Sequence, residues 1–207
     1  MGISLDNDKE KYIVGTMREV ANYILKAIDY VKSDEVEELI NALMNARSEC
    51  KKILVLGAGR SGLIGKAFAV RLLHLGFKVY VLGDTIVPAL RQGDIVIAIS
   101  GSGRTKLVTD AAEVAKTLGA KVIALTSHRD SPLAGMADIV VEIPGRLKVS
   151  SEGDYFSRQI LGIYEPLSPL ASLFEVTTMT FLDGLIVELA HRLTAERIAS
   201  TCGEGKP

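Results

Sequence analysis

The sequence SGSGRT at residues 100–105 has the composition of an anion-binding turn. Glycine lets the backbone bend sharply and expose amide hydrogens, and a helix that follows directs its positive end to the same point. The hydroxyl groups add donors that can rotate, whereas a helix N-cap would need only one hydroxyl group and no pair of glycines. The turn therefore predicts a site for a phosphate monoester. The residues expected to contact it are Ser100, Gly101, Ser102, Gly103 and Thr105.

A second glycine-rich turn, GAGRSG at residues 57–62, follows the first predicted strand. Its glycine spacing, with Asp84 after the second predicted strand, also fits a dinucleotide-binding turn. Against that alternative, a dinucleotide enzyme usually needs a further substrate domain, and the turn at 100–105 would occupy the space of the cofactor. Gly59, Arg60 and Ser61 supply anion-binding groups of their own, so we expect them to contact the substrate as well.

Short apolar runs precede these turns and recur along the middle of the chain. The runs are predicted as strands at 53–56, 79–82, 95–99, 122–125 and 139–143. Continuously apolar strands are typical of a parallel sheet with helices on both faces. Five of them suit an α/β fold, a three-layer αβα sandwich with the flavodoxin-like order 2-1-3-4-5. In that order strands one and three are neighbours, so both glycine turns open into one cleft.

The remaining segments complete a single predicted domain over residues 1–207. N-terminal helices are predicted over about 10–48, the α/β core over 51–144, an irregular segment over 145–168 and a C-terminal helix over about 169–197. Apolar residues at helical steps from Ile13 to Val31 mark one apolar face on the first helix. Asp34 and Glu37 fit the D-x-x-E start of the second.

The composition favours a soluble, reduced, cytoplasmic protein. Of the 207 residues 48% are hydrophobic, and 24 basic against 25 acidic side chains leave a net charge of −1. No basic field is available for nucleic acid or an anionic membrane, and no apolar run approaches the ~20 residues of a membrane helix. The N-terminal sequence is too acidic and polar for a signal peptide. Cys50 and Cys202 lie too far apart for a zinc ribbon or a disulfide scaffold.

Two glycine–serine turns after strands one and three resemble those of the sugar isomerase (SIS) domain. GAGRSGLIGKAFAVRLLHLGF, SGSGRT and PLASLFE are similar, within that group, to the 6-phospho-3-hexuloisomerase family. The family's usual glycine in the third motif is Ala171 here. The resemblance implies interconversion of 3-hexulose 6-phosphate and fructose 6-phosphate through an enediol, without a metal or other cofactor, in a homotetramer.

The same resemblance assigns two catalytic residues. Glu175, in the third motif, becomes the base, although Ser172 and Glu175 also have the spacing of a capping box. A helix that began at Pro169 would place Glu175 too far in to cap. His74 matches the family's histidine, but it lies ~18 Å along its helix from the first turn. It could therefore act only in a neighbouring subunit's site.

Two other functions remain open. One is a different SIS isomerase, such as an arabinose 5-phosphate isomerase, against which RLLHLGF and PLASLFE argue. The other is a sugar-phosphate sensor without catalysis, of the kind that regulates transcription. A sensor of that kind would need a basic DNA-binding surface, and the predicted N-terminal helices carry acidic runs instead.

Overall fold

The computed structural model describes residues 6–145, 160–162 and 172–203. One parallel sheet of five strands has the order β2-β1-β3-β4-β5, which confirms the predicted fold class. The strands are β1 (Lys52–Gly57), β2 (Lys78–Val81), β3 (Ile95–Ile99), β4 (Lys121–Thr126) and β5 (Ile139–Glu142). Each observed strand lies within one or two residues of its predicted bounds.

Helices cover both faces of the sheet. They are α1 (Asp6–Ala27), α2 (Ser33–Ser48), α3 (Gly59–His74), α4 (Lys106–Thr117), α5 (Pro132–Met136) and α6 (Leu173–Gly203), with a 3₁₀ turn at Ile28–Tyr30. Alternate residues of each strand point to opposite faces. Ile53 and Val55 therefore join the core under α2, α3 and α6, and Leu54 and Leu56 join the core under α4 and α5.

The apolar face of α1 is exposed near its start, and the start of α2 differs from the prediction. Ile13 and Met17 on α1 are 64% and 66% exposed within the described chain. The capping box predicted for α2 does not form, since the helix begins at Ser33 and its N-cap makes no side-chain hydrogen bond. Glu37 instead accepts two hydrogen bonds of 2.7 Å from Arg192 on α6. The carboxylate of Glu37, which local spacing assigned to a helix cap, therefore forms a long-range ion pair instead.

The C-terminal helix α6 begins at Leu173 and ends at Gly203, not at the predicted residues 169 and 197. Its start packs against the chain just after β5, where a Cβ atom added to Gly145 would lie 2.4 Å from the backbone of Phe174. This contact places the first turn of α6 at the carboxyl edge of the sheet. Most of the predicted irregular segment 145–168 lies outside the described residues.

Candidate functional site

The two glycine-rich turns start side by side at the carboxyl edge of the sheet. Gly57 at the end of β1 pairs in parallel register with Ile99 at the end of β3. The first turn then leads into α3 and the second into α4. The crevice beyond the carboxyl ends of such neighbouring strands is the usual ligand site of an open α/β sheet.

The first turn is closed by contact between its own glycines. A Cβ atom on Gly57 would lie 2.8 Å from the amide nitrogen of Gly62, so a larger residue would force the turn open. Packing thus accounts for these two glycines without any ligand. Asp84, the acid of the dinucleotide alternative, forms a 3.0 Å ion pair with Lys66.

The remaining polar residues of this turn differ in exposure. Ser61 is buried at 9% exposure, whereas the Arg60 side chain is 46% exposed at the start of α3. Arg60 is therefore the group in this turn most accessible to a charged ligand.

The hydroxyl groups of the second turn do not cap α4. Thr105 is the N-cap residue of α4, yet its side chain makes no capping hydrogen bond. Its hydroxyl instead lies 3.1 Å from that of Ser100. Ser102 Oγ accepts a hydrogen bond of 3.3 Å from the amide of Arg104. A helix cap therefore does not account for this set of hydroxyl groups, which remains suited to an anionic ligand.

The segment that follows β4 is hydrogen-bonded to the backbone of the second turn. The carbonyl groups of Gly101 and Gly103 accept hydrogen bonds of 3.1 Å from the amides of Ser127 and Leu133. Carbonyl oxygens repel an anion, and here they are bound to the neighbouring segment. Ser127, Leu133 and the short helix α5 were not predicted as parts of the site. The polar residues that follow the fourth strand were the available signal.

Glu175 on α6 lies beside the first turn. Its Oε1 atom is 3.5 Å from Nη2 of Arg60, and its side chain is 11% exposed. Its Oε2 atom is buried and has no hydrogen-bond partner among the described residues. Although Glu175 is the third residue of α6, where a capping-box carboxylate would be, the contact that its Oε1 atom makes is with Arg60. One carboxylate oxygen thus pairs with Arg60, and the other has no partner in the described part of the chain.

The structure does not bring His74 to this edge of the sheet. His74 is the last residue of α3, at the opposite end from Arg60. Together with Arg71 and His191, it lines a hollow of about 450 Å³. His128 follows β4 on the ligand side, and its Nε2 atom is buried without a hydrogen-bond partner in the described part of the chain.

Within residues 6–145, 160–162 and 172–203, no group of three or more His, Cys, Asp or Glu side chains could hold a metal ion. Among the helices of these ranges, none is both long and apolar enough to cross a membrane.

A parallel five-stranded sheet of this order belongs to the doubly wound α/β class. In this class ligands bind where the strand order reverses, which here is between β1 and β3, beside the two glycine-rich turns. The SIS domain model matches residues 48–153, from the end of α2 through the whole sheet. The chain therefore belongs to the SIS domain family.

Named relatives support a narrower comparison. The chain is 35% identical to the Bacillus subtilis 3-hexulose-6-phosphate isomerase over 84% of this chain and 87% of that protein. It is similar to the structure of a Methanococcus jannaschii protein for which the function of 3-hexulose-6-phosphate isomerase was inferred, with a TM-score of 0.66 and 35% identity over 84% and 89% of the two chains. An E. coli protein in complex with arabinose 5-phosphate has a TM-score of 0.69 and 25% identity over 91% and 93%.

Proposed function

We propose that this protein isomerises 3-hexulose 6-phosphate and fructose 6-phosphate. The observation that carries the proposal is the position of the Glu175 carboxylate beside the first of two adjacent anion-binding turns. The relatives named 3-hexulose-6-phosphate isomerase favour this substrate pair over others. Because both sugars carry a terminal phosphate, one anion site serves substrate and product.

The reaction moves a carbonyl group between C3 and C2 through an enediol. In this proposal the turn at 100–105 binds the phosphate with its hydroxyl groups and the N-terminal amides of α4. Glu175 Oε2 takes the proton from C2, and the C–H electron pair forms the C2–C3 double bond as the C3 oxygen takes a proton from water. The C2 oxygen of the enediol then gives its proton to the hydroxide so formed, and Glu175 returns its proton to C3. Arg60 offsets the negative charge that develops on the enediol oxygens.

In the same proposal, His74 contributes to the active site of a second subunit. It lies at the far end of α3 from Arg60, so it can join a site only when another copy of the chain supplies it. Val187, an apolar residue that lines this hollow, is 54% exposed, and Leu73, which precedes His74 in α3, is 59% exposed. An interface between copies would bury them. We therefore propose a homo-oligomer, a tetramer by family resemblance, whose active sites are shared between subunits.

A second candidate is an isomerase of arabinose 5-phosphate. The similarity to the E. coli protein bound to that sugar phosphate favours it, because the same turns could bind a pentose phosphate. Assays with both substrates separate the two candidates. Incubation in D₂O with fructose 6-phosphate for the first candidate, and with arabinose 5-phosphate for the second, separates each isomerase from a protein that only binds sugar phosphates, because only an isomerase exchanges the carbon-bound hydrogen of its substrate with solvent.

The proposal is tested by replacing the base. Glu175→Gln keeps the size of the side chain but cannot accept the proton, so we expect kcat to fall about 10²–10⁴-fold with KM little changed. Ser102→Ala is the matched control within the phosphate turn, and it should raise KM before it lowers kcat. Glu175→Gln activity within about tenfold of the parent, a barrier change of only ~1.4 kcal/mol, would remove Glu175 from the role of base.

A further inference from the structure

Three buried oxygen atoms without hydrogen-bond partners among the described residues lie within one turn of α6. They are Oε2 of Glu175 and the Oγ1 atoms of Thr177 and Thr178. The exposed fractions of these residues are 8%, 5% and 0%. Burial of an unpaired polar group is costly and uncommon in native proteins, so each such group calls for a physical reason.

The two threonines point to different sides of the helix. Thr178 follows Glu175 by three residues, a spacing that places two side chains next to each other on one helix face. Thr177 follows it by two and lies on another side. The structure confirms that Thr177 faces another side of the helix, because it lines an apolar groove together with Ile24 and Phe181. Only Thr178 is therefore placed to serve the carboxylate of Glu175.

Two other threonines of α6 donate their hydroxyl protons to the helix backbone, whereas Thr178 does not. Thr180 donates a hydrogen bond of 3.0 Å to the carbonyl of Val176, and Thr194 donates one of 2.8 Å to the carbonyl of Ala190. A bond to the carbonyl four residues earlier is the ordinary way for a helical threonine to satisfy its hydroxyl. The Thr178 hydroxyl makes no such bond, so its proton is available to another acceptor.

We propose that Thr178 is a positioning residue whose hydroxyl donates a hydrogen bond to Oε2 of Glu175, directly after rotation about χ1 or through one water molecule. This inference rests on the proposed role of Glu175 as base. With Arg60 at Oε1 and Thr178 at Oε2, both oxygens of the carboxylate are fixed in direction. Fixed orientation lowers the cost of reaching the reactive geometry.

The test compares three variants for kcat and KM. Thr178→Val removes the hydroxyl while keeping the shape, and we expect kcat to fall about tenfold. KM should stay within about twofold, since the phosphate turn is untouched. Thr178→Ser restores the donor and should recover most of the rate. Thr177→Val is the matched control and should behave like the parent.

Thermal unfolding separates this role from a structural one. Thr178→Val deletes a buried unpaired hydroxyl, so we expect the midpoint to stay level or rise while the rate falls. A parent-like rate for Thr178→Val would overturn the inference. So would equal losses in Thr178→Val and Thr177→Val, or a Thr178→Ser variant as slow as Thr178→Val.

Measuring Glu175→Gln alongside these variants distinguishes this failure from failure of the proposed function. If Glu175→Gln keeps turning over, the base assignment fails and the role of Thr178 fails with it. If Glu175→Gln is inactive and Thr178→Val is parent-like, only the inference about Thr178 is lost.

Discussion

The substitution Gly103→Ala would test how tightly the phosphate turn is built against the segment behind it. Gly103 has a φ of 60°, in the left-handed region. A Cβ atom at this position would lie 2.0 Å from Oγ of Ser131 and 2.4 Å from its Cβ. Ser131 is 3% exposed, and its Oγ accepts a hydrogen bond of 3.3 Å from the amide of Ala134 at the start of α5. The added methyl group therefore displaces a buried helix cap.

The expected loss of unfolding free energy follows from these contacts. The left-handed backbone costs an alanine ~1–2 kcal/mol. Loss of the Ser131 cap adds about 1 kcal/mol. The sum is about 2–3 kcal/mol, and for a chain of this length each kcal/mol lowers the unfolding temperature by ~2–4 °C. We expect Gly103→Ala to unfold roughly 4–12 °C below the parent.

Thermal and urea unfolding of Gly103→Ala, with two control variants, would check this result. Gly83 has a φ of 94° and no atom within 4 Å of an added Cβ, so Gly83→Ala carries the backbone cost alone. Gly184 lies within α6 with equally open space, and Gly184→Ala should stabilise the helix by up to ~1 kcal/mol. A loss in Gly103→Ala no larger than that in Gly83→Ala would refute the argument that the clash with Ser131 contributes.

Two further predictions concern the oligomer and the pH dependence of stability. If sites are shared, mixing inactive Glu175→Gln and His74→Gln subunits should restore activity through hybrid sites; inactive mixtures that have exchanged subunits would contradict sharing. Burial disfavours the charge of Asp94, but the amides of Lys52 and Arg91 and the Lys52 ammonium hold its pKa below the usual value. Asp94→Asn should thus destabilise the protein at pH 7, and urea unfolding should show the difference shrinking as the pH falls below about 4; a constant difference would contradict this.

The sheet and its two turns could be predicted from sequence because their signals are local. Buried strands such as Ile95–Ile99 are unbroken apolar runs, and each glycine turn directly follows one of them. The order of the sheet then follows from the limited set of ways in which parallel strands connect. The start of α6 was harder, because Pro169 and Ser172 both carry helix-start signals and local spacing cannot choose between them.

The partners of charged side chains could not be predicted in the same way. Glu37 and Glu175 each fit a local capping pattern, yet the structure pairs them with Arg192 and Arg60 respectively. Both partners are distant in sequence and arrive only when α6 packs against α2 and α3. The residue types of the candidate site were therefore visible in the sequence, whereas the contacts among them required the fold.

The contact between Gly145 and Phe174 has a consequence for how this protein can diversify. The chain leaves β5 and re-enters α6 at adjoining points, so the span between them joins two ends that already touch. The entropic cost of such a closed span rises only slowly with its length. A change in the length of this span would therefore cost little stability, and Glu175 would keep its place against Arg60.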